Sequence, residues 1–132
     1  MKRRTAREKA LQALFQVDIG KNDAEDALRH VAGDVEKMDP FLKSLFLGTV
    51  KRLDEIDEII KKHLENWSID RLANVDRNLL RIAVYEMKYI DDVPLTVTIN
   101  EAIEIAKRFG DEKSGRFING VLSKVMEYLT KD

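Results

Sequence analysis

The stretch from Val75 to Ile90 constrains the fold more than any other part of the chain. Val75, Leu79, Leu80, Ile82, Ala83, Val84, Met87 and Ile90 fall at helical spacings and cover most of a helix circumference. A helix that is apolar around most of its surface must be enclosed by other elements. This segment, opening at Asn74 or Val75 and ending at Asp91 to Pro94, is therefore expected at the centre of a helical bundle.

The flanking segments supply the helices that would enclose it. Ala6, Ala10, Ala13, Leu14 and Val17 mark an amphipathic helix, with Leu11 and Phe15 as a second apolar strip beside them. Thr5-Ala6-Arg7-Glu8 fits a capping box at its start, and Gly20 is a plausible stop. A short helix is expected over Ala24 to Ala32, then a polar loop from Gly33 to Asp39. Asp39-Pro40 reads as a capped helix start, followed by a periodic run from Phe41 to about Trp67 with a break near Leu53-Asp54. Ser68 to Leu72 suits a short helical turn.

Leu95 to Ile99 is β-branched, yet Thr98-Ile99-Asn100-Glu101 matches a second capping box, so a helix to about Arg108 is expected there. A last helix from Ser114 to Leu129 would turn Phe117, Ile118, Val121, Leu122 and Val125 inward. The expected fold is all-α, a compact bundle of about seven helices. One domain, 1–132, is expected, with 1–67 and 68–132 as its candidate subdomains. Gly115 and Gly120, inside the last helix, are read as sites of close helix or backbone approach, tight packing being the better account of Gly120.

The chain offers little catalytic chemistry. It contains no cysteine, which removes disulfides and thiolate metal sites. His30 and His63 stand alone, without a second ligand at helical spacing. Asp54, Glu55, Asp57 and Glu58 are spread round a charged helix face and read as a solvated surface. No phosphate-cradling loop or nucleophile elbow occurs. No apolar run is long enough to span a membrane, and no secretory signal follows the basic start, so a cytoplasmic protein is expected, without metal, cofactor or membrane partner.

The charge pattern is more informative. The formal net charge is −1, yet Lys2, Arg3, Arg4 and Arg7 crowd the first seven residues with no acid among them. Lys107, Arg108, Lys113 and Arg116 flank Phe109 and Phe117 near the other end. Cations interleaved with aromatic rings suit single-stranded RNA, because the cations meet phosphates while rings stack on unpaired bases. Phe117 is also placed to pack inward with Val121 and Val125. Leu11 and Phe15 either widen the core face or anchor a protein partner.

Several segments resemble one family. Arg4-Thr5-Ala6-Arg7-Glu8-Lys9-Ala10-Leu11-Gln12-Ala13-Leu14-Phe15 looks like the N-terminal signature of the NusB family of bacterial transcription antitermination factors. Val75-Asp76-Arg77-Asn78-Leu79-Leu80-Arg81-Ile82-Ala83-Val84-Tyr85-Glu86 is similar too. So are Asp92-Val93-Pro94, Ile99 to Lys107, Phe109-Gly110 and Phe117 to Leu122.

The resemblance implies a seven-helix protein that is not an enzyme. It would bind the boxA element of nascent ribosomal RNA as a single strand. Its partners would be NusE, the small-subunit ribosomal protein, and the RNA polymerase antitermination complex. Lys2, Arg3, Arg4 and Arg7 would contact RNA, with Lys107, Phe109, Lys113, Arg116 and Phe117 completing that surface. Phe15 and Asp76 would face NusE. Lys113 departs from the acidic residue that some members carry there. Two alternatives stay open at this level: a helical regulatory module acting through protein contacts only, and a homodimer formed through the apolar strip.

Overall fold

The computed structural model describes residues 1–66 and 68–130, and Trp67 lies outside the described residues. The chain forms α1 (Arg3–Asp18), α2 (Ala24–Ala32), α3 (Pro40–Lys51), α4 (Leu53–Lys62), α5 (Asn74–Tyr89), α6 (Leu95–Phe109) and α7 (Ser114–Thr130). Short 3-10 turns lie at Val35–Lys37 and Ile69–Arg71. The all-α bundle expected from the sequence is the fold observed. Asp39 caps α3 as its sequence implies, its Oδ1 accepting from the backbone N–H groups of Phe41 and Leu42 at 2.8 and 3.3 Å. The expected break falls at Arg52, where φ is −111° and ψ is 25°.

The central position of α5 follows from its apolar circumference: it packs against α1, α3, α4, α6 and α7. Leu79, Leu80, Ile82, Ala83, Val84 and Met87 are buried there. So are the charged Arg77, Arg81 and Glu86. A buried charge is tolerated only when paired and hydrogen-bonded, and each of these three has its partner.

Arg7 of α1 donates to Glu86 through Nε and Nη2, both at 2.7 Å. The Thr98 hydroxyl of α6 donates to the same carboxylate at 2.7 Å. Three turns further along α1, Asp18 accepts from Arg77 Nη2 at 2.7 Å and from Asn78 Nδ2 at 3.0 Å. Arg81 of α5 reaches Asp57 of α4 through two bonds, at 2.8 and 2.9 Å. Arg7 meets the end of α5 and Asp18 its beginning, so α1 and α5 run antiparallel with their register fixed at both ends.

Both expected capping boxes are displaced by these contacts. Helix α1 begins two residues before Thr5, with Lys2 at its N-cap and no side-chain cap bond. Glu8 instead accepts from Arg108 of α6 at 2.9 Å. Helix α6 begins after Pro94, so Thr98 lies inside it and bonds Glu86, while Glu101 binds Arg4. Tertiary partners outcompete the local cap in both cases.

Gly120 also differs from expectation. A Cβ placed there would meet nothing within 4 Å, whereas one on Gly48 would lie 2.1 Å from the Tyr85 hydroxyl oxygen. The close approach is thus α3 on α5, at Gly48. Gly120→Ala should raise stability by about 0.5–1 kcal/mol, the usual helix-interior difference, and Gly48→Ala should lower it; urea denaturation of both variants checks the opposite signs. By the same measurement, Arg7→Ala should cost about 3–5 kcal/mol, because it strands the buried Glu86 carboxylate. Arg4→Ala, which removes a half-exposed side chain, should be much milder.

Candidate nucleic-acid interface

The N-terminal cations differ in how free they are. Lys2 is exposed and pairs with no carboxylate among the described residues. Arg3 donates to Asp92 at 3.0 Å, with its guanidinium 4.5 Å from the Phe41 ring centroid. Arg4 holds Glu101 through two bonds, at 3.0 and 2.5 Å. The hydrogen bond from Arg4, and then the charges of Arg4 and Arg7, keep the Glu101 carboxyl below the usual range against the opposing effect of burial. Arg7 is only 5% exposed and committed to Glu86. Its guanidinium is an interior strut and is not placed to meet a phosphate, which corrects the expectation for that residue.

The second group gathers where α6 turns into α7. Gly110 makes this turn tight: a Cβ there would lie 2.4 Å from Ser114 Oγ. The Asp111 N–H donates to that oxygen at 3.0 Å, and Asp111 Oδ1 accepts from the Lys113 N–H at 2.8 Å. The turn therefore holds the Lys113 backbone at a fixed place at the mouth of α7. Lys113 and Arg116 are exposed and form no ion pair among the described residues. Lys107 is exposed and reaches Glu104 at 3.4 Å. Phe109 and Phe117 are half-buried against the core, with the Arg108 guanidinium 5.0 Å from the Phe109 ring centroid.

Arg116 and Phe117 line a groove of about 790 Å³ together with Leu72, Ala73, Asp76 and Glu112. They also border a smaller hollow of about 230 Å³ toward His63 and Lys124. Arg3 meets Asp92 just before α6 and Arg4 meets Glu101 halfway along it, while Lys107 to Arg116 lie at and beyond its far end; the 15 residues of α6 span about 22 Å at 1.5 Å per residue. The Arg108–Glu8 pair ties α1 to α6 near its far end. The positive charge forms two stations joined along a helix rather than one compact patch.

The apolar strip of α1 divides. Leu11 is buried in the core and is not available to a partner, a correction to its expected role. Phe15 is 39% exposed, and Ile19 is 44% exposed beside it. Ile19 was missed in the sequence, although positions 11, 15 and 19 share the i, i+4 spacing that marks one helix face. Asp76 sits on the groove wall and is almost fully buried, not displayed on an open surface.

Among the described residues, no group of three or more His, Cys, Asp or Glu side chains is arranged to hold a metal ion. None of their helices is long and apolar enough to cross a membrane. The acidic run on α4 is partly engaged, Asp57 by Arg81 and Glu55 by Lys88 and Tyr89. Those contacts, the Lys88 hydrogen bond first, pull Glu55 down to about 2.

The profile of the NusB family matches residues 4–127. The transcription antitermination protein NusB of Geobacillus kaustophilus is 56% identical over 131 residues, covering 99% of this chain and all of that one. A crystal form of T. maritima NusB superposes with a TM-score of 0.88 at 40% identity, covering 96% of this chain and 92% of that one. The solved complex of antitermination factors NusB and NusE with double-stranded RNA contains a chain that superposes at 0.85, 32% identical, with 96% of each chain covered. With a family match across nearly its whole length and the same helical architecture, the chain belongs to the NusB family.

Proposed function

We propose that this protein is a transcription antitermination factor, cytoplasmic and non-catalytic, that binds boxA RNA of nascent ribosomal transcripts together with NusE. The observation that carries this reading is the 56% identity to a named NusB along 99% of the chain. The NusB–NusE–RNA complex among its structural relatives supports both partners. Residues 1–132 act as one unit in this reading, since α5 joins the helices of both halves.

The RNA path runs along α6. Lys2, Arg3 and Arg4 hold one end of the strand, and Lys113, Arg116, Phe109 and Phe117 receive the other. Lys107 and Arg108 lie between. Phosphate contacts set the position of the strand and base contacts its sequence preference. Phe15 and Ile19 form the surface for NusE, an exposed apolar pair of the kind that anchors protein interfaces. Arg7 supports the path indirectly, by locking α1 to α5.

Much of the cationic face is already neutralised. Asp92, Glu101 and Glu8 pair with Arg3, Arg4 and Arg108. A phosphate that displaces one of these carboxylates exchanges one partner for another and releases fewer counterions. Affinity for boxA RNA should then follow the unpaired cations Lys2, Lys113 and Arg116, with log K falling against log salt at a slope of roughly −2, about −0.7 for each of three phosphates. A slope near zero would remove the RNA reading.

Asp92→Asn leaves Arg3 without its carboxylate, so it should tighten RNA binding and steepen the slope by a further ~0.7. Fluorescence anisotropy over a salt series measures both quantities. Arg3→Ala with Arg4→Ala should weaken RNA binding while the helical circular dichroism spectrum persists. NusE should strengthen RNA binding, and RNA should strengthen NusE binding by the same factor. Titrations of each ligand with and without the other check this equality. If RNA binding is absent while NusE binding depends on Phe15 and Ile19, the protein-only module is the correct account.

A further inference from the structure

Arg3 is held differently from the other N-terminal arginines. Its guanidinium carbon lies 4.5 Å from the centroid of the Phe41 ring, and Nη2 donates to Asp92 at 3.0 Å. Arg4 gives two of its nitrogens to Glu101, and Arg7 is tied to both Glu86 and Glu101. A carboxylate takes the N–H edge that a phosphate would use. An aromatic ring attracts the cation through its π face and takes none of those donors.

The ring is itself fixed. Phe41 stands in the first turn of α3, where Asp39 Oδ1 accepts from its backbone N–H at 2.8 Å. Its side chain is half-buried against the core. The Arg7 guanidinium lies 5.3 Å from the same ring centroid, and Arg7 is immobilised by Glu86. A helix cap, the core and a buried ion pair thus confine the ring, so it is Arg3 that settles on Phe41. Asp92, by contrast, is 66% exposed in the connection between α5 and α6. An exposed ion pair of this kind restrains a side chain little. The ring therefore sets where the Arg3 guanidinium stays.

We propose that Phe41 is a positioning residue for RNA binding: it holds the Arg3 guanidinium in place while the N–H donors pass from Asp92 to a phosphate. This role rests on the RNA-binding reading above. Ordering a side chain at an interface opposes binding, and a long arginine has much rotamer freedom to lose. Held on the ring before the strand arrives, Arg3 has already lost part of it. A planar guanidinium suits such a place, because it stacks by its face and hydrogen-bonds by its edge.

A double-mutant cycle tests the assignment, with a single-stranded boxA oligonucleotide and fluorescence anisotropy. Phe41→Leu keeps an apolar side chain against the core and should weaken binding about 3- to 10-fold, the range for one side chain ordered on binding. In protein that already carries Arg3→Ala, the same change should alter affinity by less than about 2-fold. Phe41→Tyr keeps the ring and should recover the affinity that Phe41→Leu loses. A merely structural role for Phe41 predicts equal losses with and without Arg3. Direct stacking of a base on the ring predicts the same, and equal losses would overturn the proposal.

A second measurement needs no substitution. The side-chain proton resonances of Arg3 should be shifted upfield by the Phe41 ring current, in the free protein and in the RNA complex alike. Unshifted resonances in either state would overturn the positioning role. Failure of the wild-type protein to bind the oligonucleotide would overturn the RNA reading itself. Wild-type binding without coupling between Phe41 and Arg3 would overturn the positioning role alone.

Discussion

The structure depends on the pairing of charges buried along its central helix. An apolar circumference alone would let α5 rotate or slide among its neighbours, because hydrophobic burial is non-directional. Arg77, Arg81 and Glu86 remove that freedom. Each needs a partner at hydrogen-bond distance, supplied by Asp18, Asp57 and Arg7. Sliding α1 by one turn would leave Glu86 and Arg77 unpaired together. Buried ion pairs add little stability over apolar residues of similar size, but breaking one is costly. Here they set register, and register places Lys2, Arg3 and Arg4 beside the start of α6.

The same pairing explains what could and could not be read from the sequence. Helix positions follow from periodicity, as with the Asp39-Pro40 start and the central α5, because those signals are local or depend only on total burial. The starts of α1 and α6 differ from the sequence expectation because Thr5–Glu8 and Thr98–Glu101 satisfy a local rule that their tertiary partners override. Thr98 is bonded to Glu86, and Glu101 to Arg4. No spacing rule reveals that a glutamate twelve residues upstream in another helix takes the hydroxyl. Arg7 illustrates the same limit, since its place among cations resembles a surface cluster until Glu86 is seen beneath it. Ile19 was legible in principle, from its i, i+4 relation to Phe15.

Net charge is a poor guide to nucleic-acid binding here. The chain carries a formal charge of −1, and several basic residues on the proposed face are matched by carboxylates. On the proposed reading, attraction arises from a few cations left unpaired at the ends of α6, and the paired ones are exchangeable. Such a surface has a weaker long-range field than a bare polycation, so it attracts arbitrary polyanions less. It must then gain its affinity from contacts at fixed geometry, such as ring stacking and base hydrogen bonds. These favour a strand of defined sequence over bulk RNA.

That balance also accounts for a second protein in the complex. A surface with only a few free cations makes few phosphate contacts alone, and a second protein docked on Phe15 and Ile19 would enlarge it without altering the bundle. Asp18, one turn beyond Phe15, bonds Arg77 and Asn78, which flank the same turn of α5 as Asp76. The apolar docking pair and the groove therefore sit at the same end of the α1–α5 pair. A partner seated on the first would rest against the helix that forms the wall of the second. On the proposed reading, coupling between the two ligands needs no large movement: the partner would restrain the end of α5 that lines the groove beside Arg116 and Phe117.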